Sequence, residues 1–195
     1  ADKISLYQVL DDLGVSRPWV ELLANIHVHG QGHLTPRFNF KGQSTGTLNN
    51  FAVYSHDARQ KENPSQTLSV PVVSLNSAVE MTPEYFEFID ASLVSMQTRI
   101  RTDARFYFKG SDGLDIEATS PLFNFQSIEN EIAGLDFLGE GQVWARVKGP
   151  YDNIKIFGNA DLKKFRFENY RIGNVATKMS YINKKLVLKS AQITK

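Results

Sequence analysis

Hydrophobic and polar residues alternate one by one along most of the 195-residue chain. Val143, Ala145 and Val147 share one parity, and the residues between them are polar or aromatic. A period of two predicts strands with one apolar and one polar face, and turns rich in Gly, Asn and Asp predict that successive strands are antiparallel. The same alternation recurs at Ile26 and Val28, Phe38 and Phe40, Phe86 and Phe88, Ile100 to Phe108, Leu114 to Ala118, Ile154 and Ile156, Phe165 and Phe167, and Leu186 and Leu188.

Three segments break this alternation and predict short helices. Residues 5–13 carry apolar side chains at helical spacing and stop before Gly14. The pair Ser120-Pro121 is typical of a helix start and precedes apolar residues as far as Ile132. A further helical turn is expected around Pro18–Ala24. Helices this short need a sheet to pack on.

The chain also repeats itself at an offset of about 116 residues. The strand that begins at Ile26 matches the strand that begins at Val143, and Phe38–Gly42 matches Ile154–Gly158. We therefore interpret residues 1–195 as one continuous, repeat-built unit, with repeats of about 1–110 and 111–195. Because the pattern stops within a repeat, we expect the chain to be a piece of a longer protein.

Composition narrows the function classes. Hydrophobic residues make up 42% and charged residues 22%, which is an ordinary globular balance, and there is no cysteine for disulfides, thiol catalysis or thiolate zinc sites. Residues 141–195 hold 12 Lys and Arg against 3 Asp and Glu, and the first 140 residues hold 10 against 18. The basic end predicts either a lysine-rich solvent face or attraction to anionic headgroups or an acidic partner.

Candidate chemistry is sparse. His27, His29 and His33 share strand parity, but their parity is opposite to that of the apolar residues, so we expect them on the solvent face and predict no metal site. No nucleotide-binding, nucleophile-elbow or metalloprotease motif occurs. Phe165 and Phe167 alternate with Arg166, which is unlike a base-stacking platform and argues against nucleic-acid binding. We predict a protein that is not an enzyme and needs no cofactor.

The segment from Gly141 to Leu162 carries a recognisable motif. Its sequence, GQVWARVKGPYDNIKIFGNADL, resembles the repeating G-x-V-x-A-x-V-x-G-P-x-x-N-x-x-I-x-G-x-A-x-L pattern of the TamB and AsmA-like family. Phe165-Arg-Phe167, Ile172-Gly173 and the run from Gly113 to Leu122 are similar to the same family. Ile154 stands where the family often has Pro. The match is close over about residues 110–195 and looser over residues 1–55.

The resemblance implies a mainly β fold: an elongated, curled antiparallel sheet called a β-taco or β-groove, here with two or three short helices. It implies a periplasmic protein held in the inner membrane by an anchor outside this chain. The implied functions are phospholipid transport to the outer membrane and, with a partner barrel of the Omp85 class, assembly of outer-membrane proteins.

An open groove would hold acyl chains without polar contacts, because each CH₂ gains about 0.8 kcal/mol on leaving water. Two other functions remain open: an extracellular β-sandwich binding or adhesion module, and a scaffold that holds a partner's strand by edge pairing. The residues expected to line the groove are Phe38, Phe40, Phe106, Phe108, Ile116, Val143, Ala145, Val147, Ile154, Ile156, Leu162, Phe165, Phe167, Leu186 and Leu188.

Overall fold

A computed structural model describes residues 4–5, 20–54, 66–108, 112–127, 136–150, 153–183 and 185–194. These residues form one antiparallel sheet of eleven strands. The strands are β1 (Ile4–Ser5), β2 (Val20–His33), β3 (Asn39–Tyr54), β4 (Gln66–Met81), β5 (Tyr85–Ser95), β6 (Thr98–Tyr107), β7 (Leu114–Asn124), β8 (Phe137–Gly149), β9 (Lys155–Phe167), β10 (Tyr170–Ile182) and β11 (Lys185–Thr194).

Each strand pairs with the strand before it and the strand after it, so the spatial order is the chain order and β1 and β11 are the edges. The predicted fold class, a mainly β and open curled antiparallel sheet, is confirmed. Ten gaps of about 4.8 Å between neighbouring strands span about 48 Å across the sheet. The described strands form one sheet, whereas the β-sandwich alternative requires two.

The helix predictions were wrong wherever the described residues cover them. Residues 20–24 belong to β2, and β7 runs through Ser120-Pro121 as far as Asn124. The described part of the second predicted helix is a 3-10 turn over Phe125–Ser127. Ser5 lies in β1, and the rest of the helix predicted over residues 5–13 lies outside the described residues. Pairing with β6 and β8 outweighed the weak helical spacing in β7, because the strand gains partners on both sides.

Bulges keep the two faces of the sheet consistent from strand to strand. Asp90 and Lys164 have positive φ, and the register shifts beside each of them. A bulge adds one residue to one strand, bends that strand and increases its twist. The shifts at Asp90 and Lys164 therefore curve the sheet while residues on either side of each bulge return to their original faces.

Two strands keep the spacing of the sequence repeat: β8 begins 117 residues after β2, and β9 begins 116 residues after β3. The next two strands are closer, because β10 begins 104 residues after β4 and β11 begins 100 residues after β5. The four strands β2 to β5 are followed by two further strands, β6 and β7, before β8 to β11 continue in the same order. The two sets therefore stand side by side in one sheet, which is how a stacked repeat buries its apolar surface.

Candidate functional site: the apolar face of the sheet

Directly paired residues of antiparallel strands point to the same side of a sheet, so the register assigns every strand residue to a face. Ala118 of β7 pairs with Ala145, Ala145 pairs with Gly158, and Gly158 pairs with Met179 of β10. We call the side that carries these residues the apolar face. The opposite side, which carries Asp115 and its partner Lys148, is the polar face.

The register places eleven of the predicted groove residues on the apolar face: Phe40, Phe106, Ile116, Val143, Ala145, Val147, Ile156, Leu162, Phe165, Phe167 and Leu188. Leu186 of β11 pairs with Tyr181, and its side chain lies outside the described part of the structure. The other three, Phe38, Phe108 and Ile154, lie one residue outside the ends of β3, β6 and β9. The eleven residues placed by the register thus lie on one face that crosses β3 to β11.

The apolar face carries no Asp, Glu, Lys or Arg at any paired position whose side chain is described. The buried hydrophobic residues of the described chain, all on this face, are Ala24, Leu75, Val79, Ala91, Ala104, Leu114 and Leu162. Exposure rises toward the edges: Val28 of β2 is 50% exposed and Leu188 of β11 is 60% exposed. The face is therefore shielded at its centre and open at its two edges.

Small side chains form a row across the middle of the apolar face. From β3 to β9 the row consists of Ser44, Ser77, Ala91, Thr102, Ala118, Ala145 and Gly158. Ser44, Ser77 and Ala91 are at most 2% exposed. We call this row the floor. We call the floor, together with the larger apolar residues on either side of it, the trough.

One row of the register lies beside the floor on the side of Ile156, which precedes Gly158 in β9. Val79, Phe88, Ile116, Val147 and Ile156 lie in the next row of the register, beside the floor. Leu75, Leu93, Ile100 and Val143 lie in the row on the other side. The large apolar members of these two rows, which also contain Ala104, Ser120 and Ala160, are the walls of the trough.

An aromatic cluster closes one end of this surface. Phe125 lies 6.0 Å from Phe137 and 6.1 Å from Phe165, measured between ring centroids. Phe137 also lies 5.3 Å from Phe167, and Phe123 lies 5.1 Å from Phe125. These separations are typical of stabilising aromatic pairs. The cluster joins the 3-10 turn after β7 to the ends of β8 and β9 on the apolar face.

Sequence reasoning missed much of β4 and β10. Leu75, Val79 and Met81 of β4 lie on the apolar face, although the surrounding Ser and Asn residues hide their alternation. Val175 and Met179 of β10 also lie there. In both strands the apolar positions alternate with small or polar residues on the same face, such as Ser77 and Thr177, so the hydrophobic signal is weak. Their register with β3, β5 and β9 is what reveals them.

Ion pairs cross several strands on the polar face. Lys41 Nζ lies 3.2 Å from Glu80 Oε1, and Arg105 Nη2 lies 2.8 Å from Glu87 Oε2. Asn39 also donates to Glu80, and this hydrogen bond is the main reason that the pKa of Glu80 lies below its usual range, with Lys41 adding to the effect. Opposite charges on neighbouring strands stabilise the register while staying in contact with water.

The three histidines lie on the polar face. His27, His29 and His33 pair with Thr45, Gln43 and Asn39, and all three histidines are exposed. Among the described residues, no three His, Asp or Glu side chains are grouped closely enough to hold a metal ion.

In the described part of the chain, no helix has the length and apolar character needed to cross a membrane. Comparison with known proteins found no matching family model, no matching curated protein and no matching solved structure.

Proposed function

We propose that this chain is part of an AsmA-like envelope protein, of the TamB kind, whose apolar face carries phospholipid acyl chains across the periplasm between the inner and outer membranes. The observation that supports the proposal is the continuous apolar face, which runs across the described strands with no charged side chain and is open toward β2 and β11. The family resemblance of residues 110–195 supplies the cellular setting.

The dimensions suit acyl chains. The floor crosses β3 to β9, which is six gaps or about 29 Å, and an acyl chain spans about half of the roughly 30 Å hydrocarbon core of a bilayer. The trough is therefore long enough for about two chains placed one after another. Eight buried CH₂ groups would contribute about 6 kcal/mol, so binding needs no polar contact and the headgroup stays in water at the rim.

Movement along such a trough needs no chemistry. The walls present Ile116, Val147 and Ile156 in consecutive strands, and each offers nearly the same apolar contact to a passing chain. Because neighbouring sites are equivalent, a chain loses little contact when it moves from one strand to the next. The protein acts as a passive path, and the periplasmic location and a barrel partner of the Omp85 class belong to this proposal.

A second candidate is a scaffold that holds a partner's strand along β11. The outer side of β11 has no partner strand among the described residues, and Val187, Leu188 and Ile193 are exposed. However, a register shift after Lys178 places Lys189 at a bulge in the middle of this edge. Bulges and lysines are features that hinder edge pairing, so we favour the lipid trough.

Lipid extraction followed by native mass spectrometry tests the proposal on the purified chain. The wild-type protein should carry copurifying phospholipid. Ile156→Asp places a carboxylate on the apolar face and should reduce bound phospholipid at least tenfold, because a charge beneath an acyl chain loses its hydration. Phe157→Asp is the matched control, since Phe157 is the next residue and lies on the polar face.

The Phe157→Asp protein should keep its phospholipid. A wild-type protein without copurifying phospholipid would contradict the proposal, and so would equal lipid in the two variants. Circular dichroism should show folded protein for Ile156→Asp, because the side chain can reach water when the trough is empty. An unfolded Ile156→Asp protein would indicate a sealed core instead.

A further inference from the structure

The basic character of the C-terminal half is concentrated on one side of the sheet. On β8 to β11 the polar face carries Lys148, Lys155, Arg166, Arg171, Lys178 and Lys185. The paired positions of the same four strands carry two carboxylates on this face, Glu140 and Asp161, and Glu140 lies opposite a further cation, Lys163. We call this surface the basic patch.

Like charges face each other directly within the basic patch. Lys148 pairs with Lys155 across β8 and β9, and Arg166 pairs with Arg171 across β9 and β10. Directly opposed like charges destabilise a sheet. Two such pairs, at opposite ends of the same three strands, concentrate positive charge at a cost in stability, whereas alternating signs would have made ion pairs as on β3 to β7.

The basic patch is also weakly neutralised. Arg166 Nη2 lies 3.2 Å from Asp136 Oδ2, but within the described residues no carboxylate lies within ion-pair distance of Lys148, Lys155, Lys178 or Lys185. These four lysines are exposed. Lys148 also lies opposite Asp115 of β7 and contributes to the lowered pKa of that carboxyl, whereas the charges of Lys155, Lys178 and Lys185 are available to a partner outside the molecule.

We propose that the basic patch docks on an anionic lipid bilayer surface. The patch covers four neighbouring strands, about 15 Å across and about 35 to 40 Å along the strands, and its charge is spread over that whole area. A bilayer surface needs spread positive charge and no specific geometry, and clusters of Lys and Arg bind anionic headgroups in this way. The apolar face lies on the opposite side of the sheet and stays free.

The aromatic residues of the patch favour a bilayer over a nucleic acid. Phe157 lies beneath Lys148, with 5.9 Å between the ammonium nitrogen and the ring centroid, and Trp144 donates to Glu117 through its indole nitrogen at 2.9 Å. Both rings are engaged within the protein, whereas nucleic-acid platforms present free rings on which bases stack. The inference does not depend on lipid in the trough.

Vesicle sedimentation tests the inference. Wild-type protein should bind vesicles of phosphatidylcholine with 30 mol% phosphatidylglycerol and should bind pure phosphatidylcholine weakly. Each neutralised lysine should weaken binding about fivefold, so Lys148→Gln with Lys155→Gln should weaken it roughly 25-fold. Salt at 0.5 M should remove most of the difference, because it screens exposed charges. Arg99→Gln with Arg101→Gln is the control, since both lie exposed on the polar face of β6.

The control variant should bind the anionic vesicles within about twofold of wild type. Equal binding to neutral and anionic vesicles would overturn the inference, as would equal losses in the two double variants. Tighter binding to a DNA duplex than to the anionic vesicles at the same salt concentration would assign the patch to nucleic acid instead. The Ile156→Asp protein should bind anionic vesicles as wild type does, which separates this surface from the trough.

Discussion

Arg146 of β8 holds Asp115 of β7 through two parallel hydrogen bonds. Arg146 Nε donates to Asp115 Oδ1 at 2.9 Å, and Arg146 Nη2 donates to Asp115 Oδ2 at 2.8 Å. On the apolar face, Ile116 pairs with Val147. The bidentate pair on one side and the apolar pair on the other both fix the register of β7 and β8 at this point, where the trough wall continues from strand to strand.

We expect the geometry of the Asp115–Arg146 pair to matter more than its charge. Arg146→Lys keeps the positive charge but loses the fork of two donors, and it should lower the free energy of unfolding by about 1 kcal/mol, the upper end for a pair this exposed. Urea unfolding of Arg146→Lys, Asp115→Asn and the double variant measures the coupling. A coupling energy near zero would show that the pair contributes nothing to the sheet.

The same pair predicts a dependence of stability on pH. The hydrogen bond from Arg146 lowers the pKa of Asp115 below its usual range in the folded protein. The ionised carboxylate therefore contributes stability at neutral pH, and this contribution is lost as the pH falls through the lowered folded-state pKa. The Arg146→Gln variant lacks the guanidinium that lowers the pKa of Asp115. Its unfolding free energy should therefore fall less steeply than that of wild type between about pH 5 and pH 2. Parallel curves would contradict the assignment.

The sequence predicted which residues share a face of the sheet better than it predicted where the alternation is interrupted. Val143 and Val147, which share parity in the sequence, lie on one face of the sheet together with Ile156, because a buried face imposes a strict period of two. Leu122 and Phe125 suggested a helix through their i, i+3 spacing, but Leu122 pairs with Arg99 of β6 and Phe125 lies in the 3-10 turn after β7. Local spacing does not distinguish a helix from a strand when the deciding contacts come from neighbouring strands.

The floor and the ion pairs had no local signal. Ser44, Ala91 and Gly158 are small residues with no hydrophobic pattern, and they form a row only once seven strands are in register. Asp115 and Arg146 are 31 residues apart in sequence. Such contacts depend on the pairing of whole strands. A single sequence therefore predicts the individual strands but not which of their residues lie side by side.

The aromatic cluster should stabilise the sheet. Phe165 contacts both Phe125 and Phe137, and each aromatic pair contributes about 0.5 to 1.5 kcal/mol beyond burial. Because Phe165 is half-buried, Phe165→Ala should lower the unfolding free energy by about 2 to 3 kcal/mol, below the range for a fully buried Phe. Phe165→Leu should recover about half of the loss. Thermal unfolding followed at two wavelengths measures both, and a Phe165→Ala protein as stable as wild type would show that the cluster is not packed.

The floor should be sensitive to side-chain volume. Gly158 lies between Ala145 and Met179 in the register, and a Cβ built there would meet Met179 Cε at 3.0 Å and the Trp144 carbonyl oxygen at 3.2 Å. Gly158→Ala should fold, because the end of the flexible methionine can move and the strand gains from the loss of glycine freedom. Gly158→Leu should also fold but place its side chain on the floor.

If the floor holds acyl chains, bound phospholipid should fall in steps from wild type to Gly158→Ala to Gly158→Leu, with at least a tenfold loss for the last, because the chain and the leucine compete for one space. Ala176→Leu is the matched control: Ala176 is exposed on the polar face of β10, so the same side chain there leaves the trough unchanged. Native mass spectrometry after a fixed purification measures all four proteins, and urea unfolding separates lost lipid from lost fold. Undiminished phospholipid in a folded Gly158→Leu protein would place the acyl chains away from the floor, whereas a parallel loss in Ala176→Leu would mean that volume at the trough does not control binding.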